Sequence, residues 1–397
     1  MRISNRATSI QESAIRKLDA AVGRADGVHF HKLNIGQPDV HTPREVLDAL
    51  AYTDGPVLAY GPASGLPECR AAAAAFHART SPGLGPEHVV VTQGGSEALL
   101  FAMCAVCDPG DEILVPEPYY TNYNGFSTVA AAKVVPVRTH LEDGFEIPPD
   151  HVLDTMVTPR TRMFLFANPG NPTGAVYRES TLRRVAAWAR RHDLWLVADE
   201  VYRAIWFEKP PLSALELDDH QDHVIVVDST SKTFSSCGLR IGFFLSRNLH
   251  LMERVERLGQ ARLGPQPRAQ HAAIAALGLP LGFYGDVRST YKGRVDAMME
   301  ALARLPGVAY HRPQGAFYTM ARLPVSDTET FARFMVEEFR DHDAGRAESV
   351  VVAPGPGFYA DPSQGRDQIR LAAVREEAVL TRAIAVLGKG IEAFQRR

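Results

Sequence analysis

Short, nearly continuous apolar runs recur along this chain, and longer helical patterns follow the first three of them. The runs are HVVVT (88–92), EILVP (112–116), MFLFA (163–167), LWLVAD (194–199), VIVVDS (224–229) and IGFFLS (241–246). Such strands are expected where helices cover both faces of a sheet. The alternation therefore predicts a mainly parallel α/β sheet in a large domain over residues 46–285.

The two ends of the chain predict a second, smaller α+β domain made of residues 1–45 and 286–397. Its predicted elements are helices at 13–22, 291–305 and 376–394 and strands at 315–323, 349–354 and 368–374. A chain of 397 residues is long enough for such a division.

Composition excludes several classes of protein. With 45% hydrophobic residues, 22% charged residues and a net charge of −3, the chain resembles an ordinary globular protein, so neither a nucleic acid nor a membrane is an expected partner. The N-terminus lacks an apolar signal core, and the four cysteines are scattered, which together predict a cytoplasmic protein. Cys104 and Cys107 have the spacing of a redox or zinc pair, but they lie in an apolar run, so we expect buried, reduced thiols and no metal.

Unusual polar residues come directly after the predicted strands, where open parallel sheets bind their ligands. These segments are Gly94-Gly95-Ser96-Glu97, the NPGNPTG loop (168–174) with Asn171, Asp199-Glu200-Val201-Tyr202, and Ser229-Thr230-Ser231-Lys232. Their positions predict one site at this edge of the sheet.

Lys232 follows an apolar strand, where partial desolvation favours a nucleophilic amine able to form a Schiff base. A lysine at a strand end can equally extend into solvent. Ser229 and Arg240 strengthen the functional reading, because together they can hold one anion such as a phosphate. The same S-x-x-K spacing occurs in serine acyl-transfer enzymes, but no S-D-N or K-T-G motif accompanies it.

Asp199 closes a predicted strand, where a buried carboxylate needs a cationic or donating partner such as a protonated pyridine nitrogen. Tyr202 can offer a phenol to a neighbouring ring oxygen. Ser96 and Glu97 open a helix that can bind an anion or can simply be capped. For Asp199, a helix N-cap or a structural salt bridge is the alternative. The chain has no dinucleotide-binding or P-loop motif.

Arg370 lies in an apolar strand, where its guanidinium can hold a substrate carboxylate or take part in an ordinary salt bridge. Tyr120, in the pair Tyr119-Tyr120, can stack on a ligand ring or pack in the core.

The order and spacing of these motifs resemble the class I/II aminotransferases, which are pyridoxal 5′-phosphate (PLP) enzymes of fold type I. The matching segments are LNIGQPDVHTP (33–43), YGPASGLPECR (60–70), GGSEAL (94–99), DPGDEILVPEPYY (108–120), NPTG (171–174), ADEVY (198–202), SKTFSSCGLRIG (231–242), QGAFY (314–318) and IRLA (369–372). The resemblance covers nearly the whole chain. It implies a sheet of the seven-stranded type and amino transfer from an L-amino acid to a 2-oxo acid.

By this resemblance, Lys232 carries PLP as a Schiff base and moves the substrate proton, while Asp199 keeps the pyridine nitrogen protonated. The resemblance implies that Asn171 and Tyr202 bind the ring's phenolic oxygen and that Tyr120 stacks on the ring. The implied phosphate ligands are Gly95, Ser96, Glu97, Ser229, Arg240 and, from a neighbouring subunit, Tyr60. Arg370 would bind the substrate α-carboxylate with Asn171 and the backbone of Gly36 alongside, and the shared site implies a homodimer.

Ser96 departs from those aspartate-using relatives that carry a lysine in this turn to bind a second carboxylate. Arg262, in QARLG, is an alternative residue that could bind such a carboxylate. The same catalytic residues also serve PLP enzymes of β- or γ-elimination, replacement or carbon–carbon bond formation. A PLP-dependent regulator is a further alternative, but no basic DNA-binding extension accompanies the motifs.

Overall fold

The computed structural model describes residues 1–11, 15–52 and 56–397. Its strands, in chain order, are β1 (Val28–Lys32), β2 (Val89–Thr92), β3 (Glu112–Glu117), β4 (Lys133–Arg138), β5 (Thr161–Ala167), β6 (Trp195–Asp199), β7 (Val224–Ser229), β8 (Gly242–Leu245), β9 (Ala309–Tyr310), β10 (Tyr318–Arg322), β11 (Ala347–Val351), β12 (Ala353–Pro354) and β13 (Gln368–Ala372).

Its helices are α1 (Asn5–Ser9), α2 (Asp19–Arg24), α3 (Arg44–Leu50), α4 (Pro67–Ala78), α5 (Gly94–Val106), α6 (Asn122–Val129), α7 (Asp150–Asp154), α8 (Glu179–Arg191), α9 (Thr230–Thr233), α10 (Leu249–Arg262), α11 (Pro267–Leu277), α12 (Leu281–Leu302), α13 (Thr328–Glu337) and α14 (Glu377–Gln395). Several follow from simple sequence rules. In α8, for example, Glu179 lies in the first turn and Arg190 and Arg191 in the last, which complements the helix dipole.

The large sheet has seven strands in the order β2-β8-β7-β6-β5-β3-β4. The neighbours from β7 to β4 pair in parallel, whereas β8 is antiparallel to both β2 and β7. The predicted mainly parallel, seven-stranded α/β fold is therefore confirmed. All six predicted runs form strands, but β4 was missed, because this edge strand is only partly buried and lacks a continuous apolar run.

Both faces of this sheet are covered by packed side chains. Along β7, Val224 and Val226 belong to one core cluster, whereas Ile225 and Val227 belong to another on the opposite face. Alternate residues of a strand point to opposite faces, so two cores explain why the strand reads as a continuous apolar run.

The remaining strands form smaller sheets around a third core. A four-stranded antiparallel sheet has the order β12-β13-β10-β9, and β1 pairs in parallel with β11. The predicted strands correspond to β10, β11 with β12, and β13, and the two predicted C-terminal helices lie within α12 and α14. The domain boundaries, placed after residues 45 and 285, remain predictions. Neither boundary coincides with the end of a helix, because α3 continues past residue 45 and α12 continues past residue 285.

The predicted opening helix at 13–22 is only partly present. Residues 13 and 14 lie outside the described residues, residues 15–18 form a turn, and the helix begins at Asp19. Cys107 is buried as expected, but Cys104 is exposed, so the prediction for that thiol was wrong. It lies on the outer side of α5, which the apolar composition of the run did not reveal. Within the described ranges, every helix is too short or too polar to cross a membrane.

Candidate active site

A cavity of about 320 Å³ opens at the carboxyl ends of β6 and β7, between the large sheet and the smaller sheets. Eleven of the sequence-predicted site residues line it: Gly36, Gly95, Ser96, Tyr120, Asn171, Asp199, Tyr202, Ser229, Lys232, Arg240 and Arg370. The position agrees with the rule that open α/β sheets bind ligands beyond the carboxyl ends of their strands.

Lys232 lies in the short helix α9, which begins directly after β7 and is capped by the side chain of Ser229. Its Nζ donates a hydrogen bond to the carbonyl oxygen of Gly36 at 3.0 Å and lies 5.8 Å from the centre of the Tyr202 ring. Gly36 cannot be replaced without rearrangement, because an added Cβ would lie 1.6 Å from the phenolic oxygen of Tyr318. The amine therefore lies in a narrow space between the large sheet and the smaller sheets.

Asp199 ends β6 and is buried, and burial raises the pKa of its carboxyl to about 6. The phenol of Tyr123 donates a hydrogen bond to Asp199 Oδ2 at 2.8 Å, which favours the ionised form. A cationic ring nitrogen next to the other oxygen would favour that form further. Tyr123 was not predicted, because its tyrosine-rich segment gave no sign that it reaches β6.

Two phenols meet deeper in the cavity. The hydroxyls of Tyr202 and Tyr318 lie 2.9 Å apart and share one hydrogen bond. Burial raises the pKa of Tyr202 well above its usual range, so its phenol is protonated at neutral pH. Tyr120, whose hydroxyl accepts a hydrogen bond from the Asn122 side chain at 2.8 Å, lines the same space. Tyr318 lies in the QGAFY segment but had no predicted role.

The turn between β2 and α5 can bind an anion. Gly94 has a φ of +74°, which glycine tolerates, and the first backbone N–H groups of α5 follow it. The hydroxyls of Ser229 and Ser231 are hydrogen-bonded to each other at 2.7 Å, and Arg240 donates to the carbonyl oxygens of Cys237 and Gln93. These donors suit a phosphate group.

Two predicted phosphate ligands, Glu97 and Tyr60, do not line the cavity. The Glu97 carboxylate accepts a hydrogen bond from the backbone of Gln93 at 2.8 Å and lies 3.2 Å from Arg262 Nε. It therefore caps the start of α5, and only its backbone remains a candidate phosphate ligand. Tyr60 was expected to act in a neighbouring subunit, and its side chain is 87% exposed in the single chain.

Arg262 also lies outside the residues that line the cavity. Besides its contact with Glu97, its Nη2 donates to the carbonyl oxygen of Val91 at 3.1 Å. The guanidinium is therefore already paired within its own chain.

Arg370, in β13, is only 1% exposed. Its Nη1 donates to Asn171 Oδ1 at 3.1 Å and its Nη2 donates to the carbonyl oxygen of Asn34, while Nε has no hydrogen-bond partner. The rings of Tyr318 and Phe358 lie 4.5 and 5.0 Å from the guanidinium. No carboxylate pairs with Arg370 among the residues that the structure describes. A buried cation of this kind is costly unless an anion joins it, so the site is suited to a carboxylate ligand.

Other residues that line the cavity had no predicted role: Ile15, Arg16, Ile35, Gln37, Leu99, Asn122, Val201, Ser231, Cys237 and Tyr318. Ile15 and Arg16 come from the N-terminal segment, about 200 residues before Lys232 in the chain. Only folding brings this segment to the same cavity as Lys232.

One group of possible metal ligands occurs among the described residues, away from the cavity. His29, His31 and Glu348 have ligand atoms within 4.8 Å of one another. Arg346 and Arg382 already donate to the Glu348 carboxylate, at 2.9 and 2.8 Å.

Comparison with known proteins identifies the family of the chain. Residues 28–387 match the family described as aminotransferase class I and II. The aspartate/prephenate aminotransferase of Thermus thermophilus is 32% identical over 395 residues, which cover 96% of this chain and 99% of the relative. A probable aspartate/prephenate aminotransferase of Thermus aquaticus is 34% identical over 366 residues, covering 90% and 92%.

Solved structures give the same result. The aspartate aminotransferase of Thermus thermophilus with maleate has a TM-score of 0.88 at 30% identity and covers 98% of this chain and 100% of its own. An alanine aminotransferase from Pyrococcus furiosus has a TM-score of 0.89 at 30% identity, covering 99% and 100%. The matches extend over nearly the whole chain and include its fold. The chain is therefore an aminotransferase and belongs to the class I and II aminotransferase family, whose members use pyridoxal phosphate.

Proposed function

We propose that this aminotransferase moves the amino group of an L-amino acid to a 2-oxo acid, with PLP attached covalently at Lys232. The observation that carries the proposal is the buried guanidinium of Arg370, which has no carboxylate partner among the described residues and lines the same cavity as the Lys232 amine. An amino acid brings the carboxylate that this cation lacks.

The residues of the cavity fit the cofactor. Asp199 offers a buried carboxylate for the pyridine nitrogen, and the N-terminus of α5, Ser229, Ser231 and Arg240 offer donors for the phosphate. Bound PLP supplies a protonated ring that withdraws electrons from the substrate Cα. Tyr202 and Asn171 would donate hydrogen bonds to the ring oxygen, and Tyr120 would stack on the ring.

In this proposal Lys232 Nζ, once released from the cofactor, carries the proton that leaves the substrate Cα. The carbonyl oxygen of Gly36, 3.0 Å from Nζ, orients the amine. Arg370 holds the α-carboxylate, with Asn171 and the backbone of Gly36 alongside, and so fixes which Cα bond faces the amine. The known relatives transfer amino groups, which favours this reaction over elimination, replacement or carbon–carbon bond formation.

We also propose a homodimer in which Tyr60 reaches the phosphate of the neighbouring site. Exposed apolar side chains that precede Tyr60 in the sequence support this: Leu47, Leu50, Tyr52, Val57 and Leu58 are 39–75% exposed. Exposed large apolar side chains of this kind are typical of an interaction surface. A cytoplasmic location stays a prediction from the sequence.

The proposal is tested with the PLP-loaded enzyme and one amino acid at a time, without an acceptor. Amino transfer releases one equivalent of 2-oxo acid per site and stops until a second oxo acid is added. Lys232→Ala should release none while keeping its fold by circular dichroism. Continuous product formation without an acceptor, or release of ammonia, would contradict amino transfer.

A further inference from the structure

Tyr318 lies where three residues of the site meet, although it has no assigned role of its own. Its hydroxyl is 2.9 Å from the hydroxyl of Tyr202, and its ring lies 4.5 Å from the guanidinium of Arg370. An added Cβ at Gly36 would lie 1.6 Å from the same hydroxyl, so the phenol packs directly against the Gly36 backbone. Tyr318 is 2% exposed and lines the cavity.

The small sheet and the neighbouring rings fix the position of this phenol. Tyr318 is the first residue of β10, and it pairs with Ala372 of β13, two residues beyond Arg370. Tyr318 and Arg370 therefore project from the same face of the sheet as diagonal neighbours. The ring of Tyr202 meets the Tyr318 ring edge-on, with the ring centres 5.6 Å apart. A side chain packed in this way has little freedom to turn its hydroxyl away from Tyr202.

The hydrogen bond between the two phenols has two possible directions, because each hydroxyl has one hydrogen to donate and lone pairs that accept. If Tyr202 donates to Tyr318, its hydrogen is not available to the phenolic oxygen of the PLP ring. If Tyr318 donates to Tyr202, that hydrogen stays available. Among the described residues, no other hydrogen bond reaches the Tyr318 hydroxyl. A ring oxygen that accepts from Tyr202 would therefore turn the shared bond so that Tyr318 donates.

Arg370 orients the second proposed donor to the ring oxygen in a similar way. Its Nη1 donates to Asn171 Oδ1 at 3.1 Å, which leaves the amide hydrogens of Asn171 free to be donated elsewhere. Burial raises the pKa of Tyr202 well above its usual range, so this phenol keeps its hydrogen at neutral pH. Each of the two donors is thus held by a residue of the small sheet, Asn171 by Arg370 and Tyr202 by Tyr318.

We propose that Tyr318 is a positioning residue, which donates its hydrogen to Tyr202 and so directs the Tyr202 hydroxyl to the ring oxygen of PLP. Donation to a phenol oxygen polarises the O–H bond of that phenol and strengthens the hydrogen bond that it donates in turn. A stronger bond to the ring oxygen reduces the negative charge that this oxygen offers to the nearby Schiff-base nitrogen at Lys232, which lowers the pKa of that nitrogen. This inference rests on the proposed function and adds to it a residue that tunes the protonation of the bound cofactor.

The effect of the Tyr318 hydroxyl can be isolated, because Tyr318→Phe keeps the ring that packs against Arg370 and Tyr202. Every other charged or titratable side chain around the Schiff base stays in place in this variant. Besides Lys232 and Tyr202, those that line the cavity are Arg16, Tyr120, Asp199, Cys237, Arg240 and Arg370.

The proposal is tested by a spectrophotometric pH titration of the PLP-loaded enzyme, since the absorbance of the Schiff base changes when its nitrogen loses a proton. Tyr318→Phe should raise the pKa of the Schiff base by about 0.2 to 0.6, because Tyr202 becomes a weaker donor. If Tyr202 instead donates to Tyr318 in the wild type, the same variant frees its hydrogen for the ring oxygen and lowers this pKa. A lower or an unchanged pKa in Tyr318→Phe would therefore overturn the proposal.

Two further variants separate this effect from a general disturbance of the cavity. Tyr202→Phe should raise the Schiff-base pKa further, and in that background the loss of the Tyr318 hydroxyl should cause no additional change, since its acceptor is gone. Tyr119→Phe is the matched control: this phenol is also 2% exposed but donates to Asn124 at 2.9 Å, so its loss should leave the pKa unchanged. Additive changes from Tyr202→Phe and Tyr318→Phe would contradict an action of Tyr318 through Tyr202.

The same titrations distinguish a failure of this inference from a failure of the proposed function. If the Schiff-base absorbance is present in the wild type and absent in Lys232→Ala, but its pKa is the same in Tyr318→Phe, only the role of Tyr318 is wrong. If the PLP-loaded wild type shows no Schiff-base absorbance, the attachment at Lys232 is wrong and the role of Tyr318 is lost with it.

Discussion

The phenol of Tyr123 donates a hydrogen bond to Asp199 Oδ2 at 2.8 Å, although 76 residues separate the two in the chain. Tyr123 lies in α6 and packs on one face of the large sheet. Val226 of β7 belongs to the core cluster on the other face. The pair fixes the orientation of a buried carboxylate that has no strong cationic partner within the described residues.

Tyr123→Phe should weaken PLP binding by the apoenzyme about 10-fold at neutral pH. The phenol stabilises the ionised form of Asp199, so its removal raises the Asp199 pKa and moves the acid-side loss of PLP affinity to higher pH. The measurement is the PLP dissociation constant as a function of pH. Tyr119→Phe is the control, because that phenol donates to Asn124 at 2.9 Å instead. Equal pH profiles for the two variants would contradict the role of Tyr123.

Asp199→Asn should stabilise the apoenzyme above about pH 6 but not near pH 4. In the unfolded chain the carboxyl has its ordinary pKa of 3.8, whereas burial raises the pKa to about 6 in the folded protein. Below both values the carboxyl is protonated in both states, and as the pH rises between them ionisation favours the unfolded chain. The difference in unfolding free energy should grow over this interval to at most about 3 kcal/mol and then stay constant. Denaturant titrations across pH measure it, and a pH-independent difference would rule out this origin.

Arg370→Gln should lower kcat/KM by about 100-fold or more for every amino acid, since each carries the α-carboxylate. PLP affinity should change little, because Arg370 is assigned to the substrate. Arg370→Lys keeps the charge but loses the planar pair of donors, so its activity should lie between wild type and the glutamine variant. Steady-state kinetics with several amino acids check this, and a loss confined to dicarboxylic substrates would move Arg370 to a different role.

His77→Ala should destabilise the protein by about 3 kcal/mol without removing a cavity residue. His77 is fully buried; its Nδ1 is hydrogen-bonded to Arg203 Nη1, and its Nε2 lies 3.2 Å from Asp228 Oδ2. Because a guanidinium only donates, Nδ1 accepts and the proton lies on Nε2, facing Asp228. Burial also lowers the pKa of His77, which favours this neutral form.

The coupling within this cluster is measured with Asp228→Asn and the double variant. Residues of one buried network are not additive, so the double variant should lose less unfolding free energy than the sum of the two single changes. Additive losses would show that His77 and Asp228 act separately.

The meeting of the strand-end residues in one cavity was predictable from sequence, because it follows a local rule. Asp199, Ser229 and Lys232 come directly after apolar runs, and the carboxyl ends of neighbouring parallel strands meet at one edge of a sheet. Arg370 was predictable for a similar reason, since a guanidinium within a strand such as QIRLAAV marks a buried cation in need of an anion. Edge strand β4 escaped prediction because partial exposure breaks its apolar pattern.

By itself, the sequence determined the mainly parallel sheet, the family and the residues that follow each strand, since these depend on short patterns of side-chain polarity. Only the tertiary structure decided how side chains far apart in the sequence pair with one another around the cavity. Tyr123 reaches Asp199, Asn34 joins Arg370 to the segment of Arg16, and Arg262 turns to Glu97. Such contacts depend on how whole helices and sheets pack, because packing sets the distance between residues far apart in the chain, and no local pattern encodes that distance.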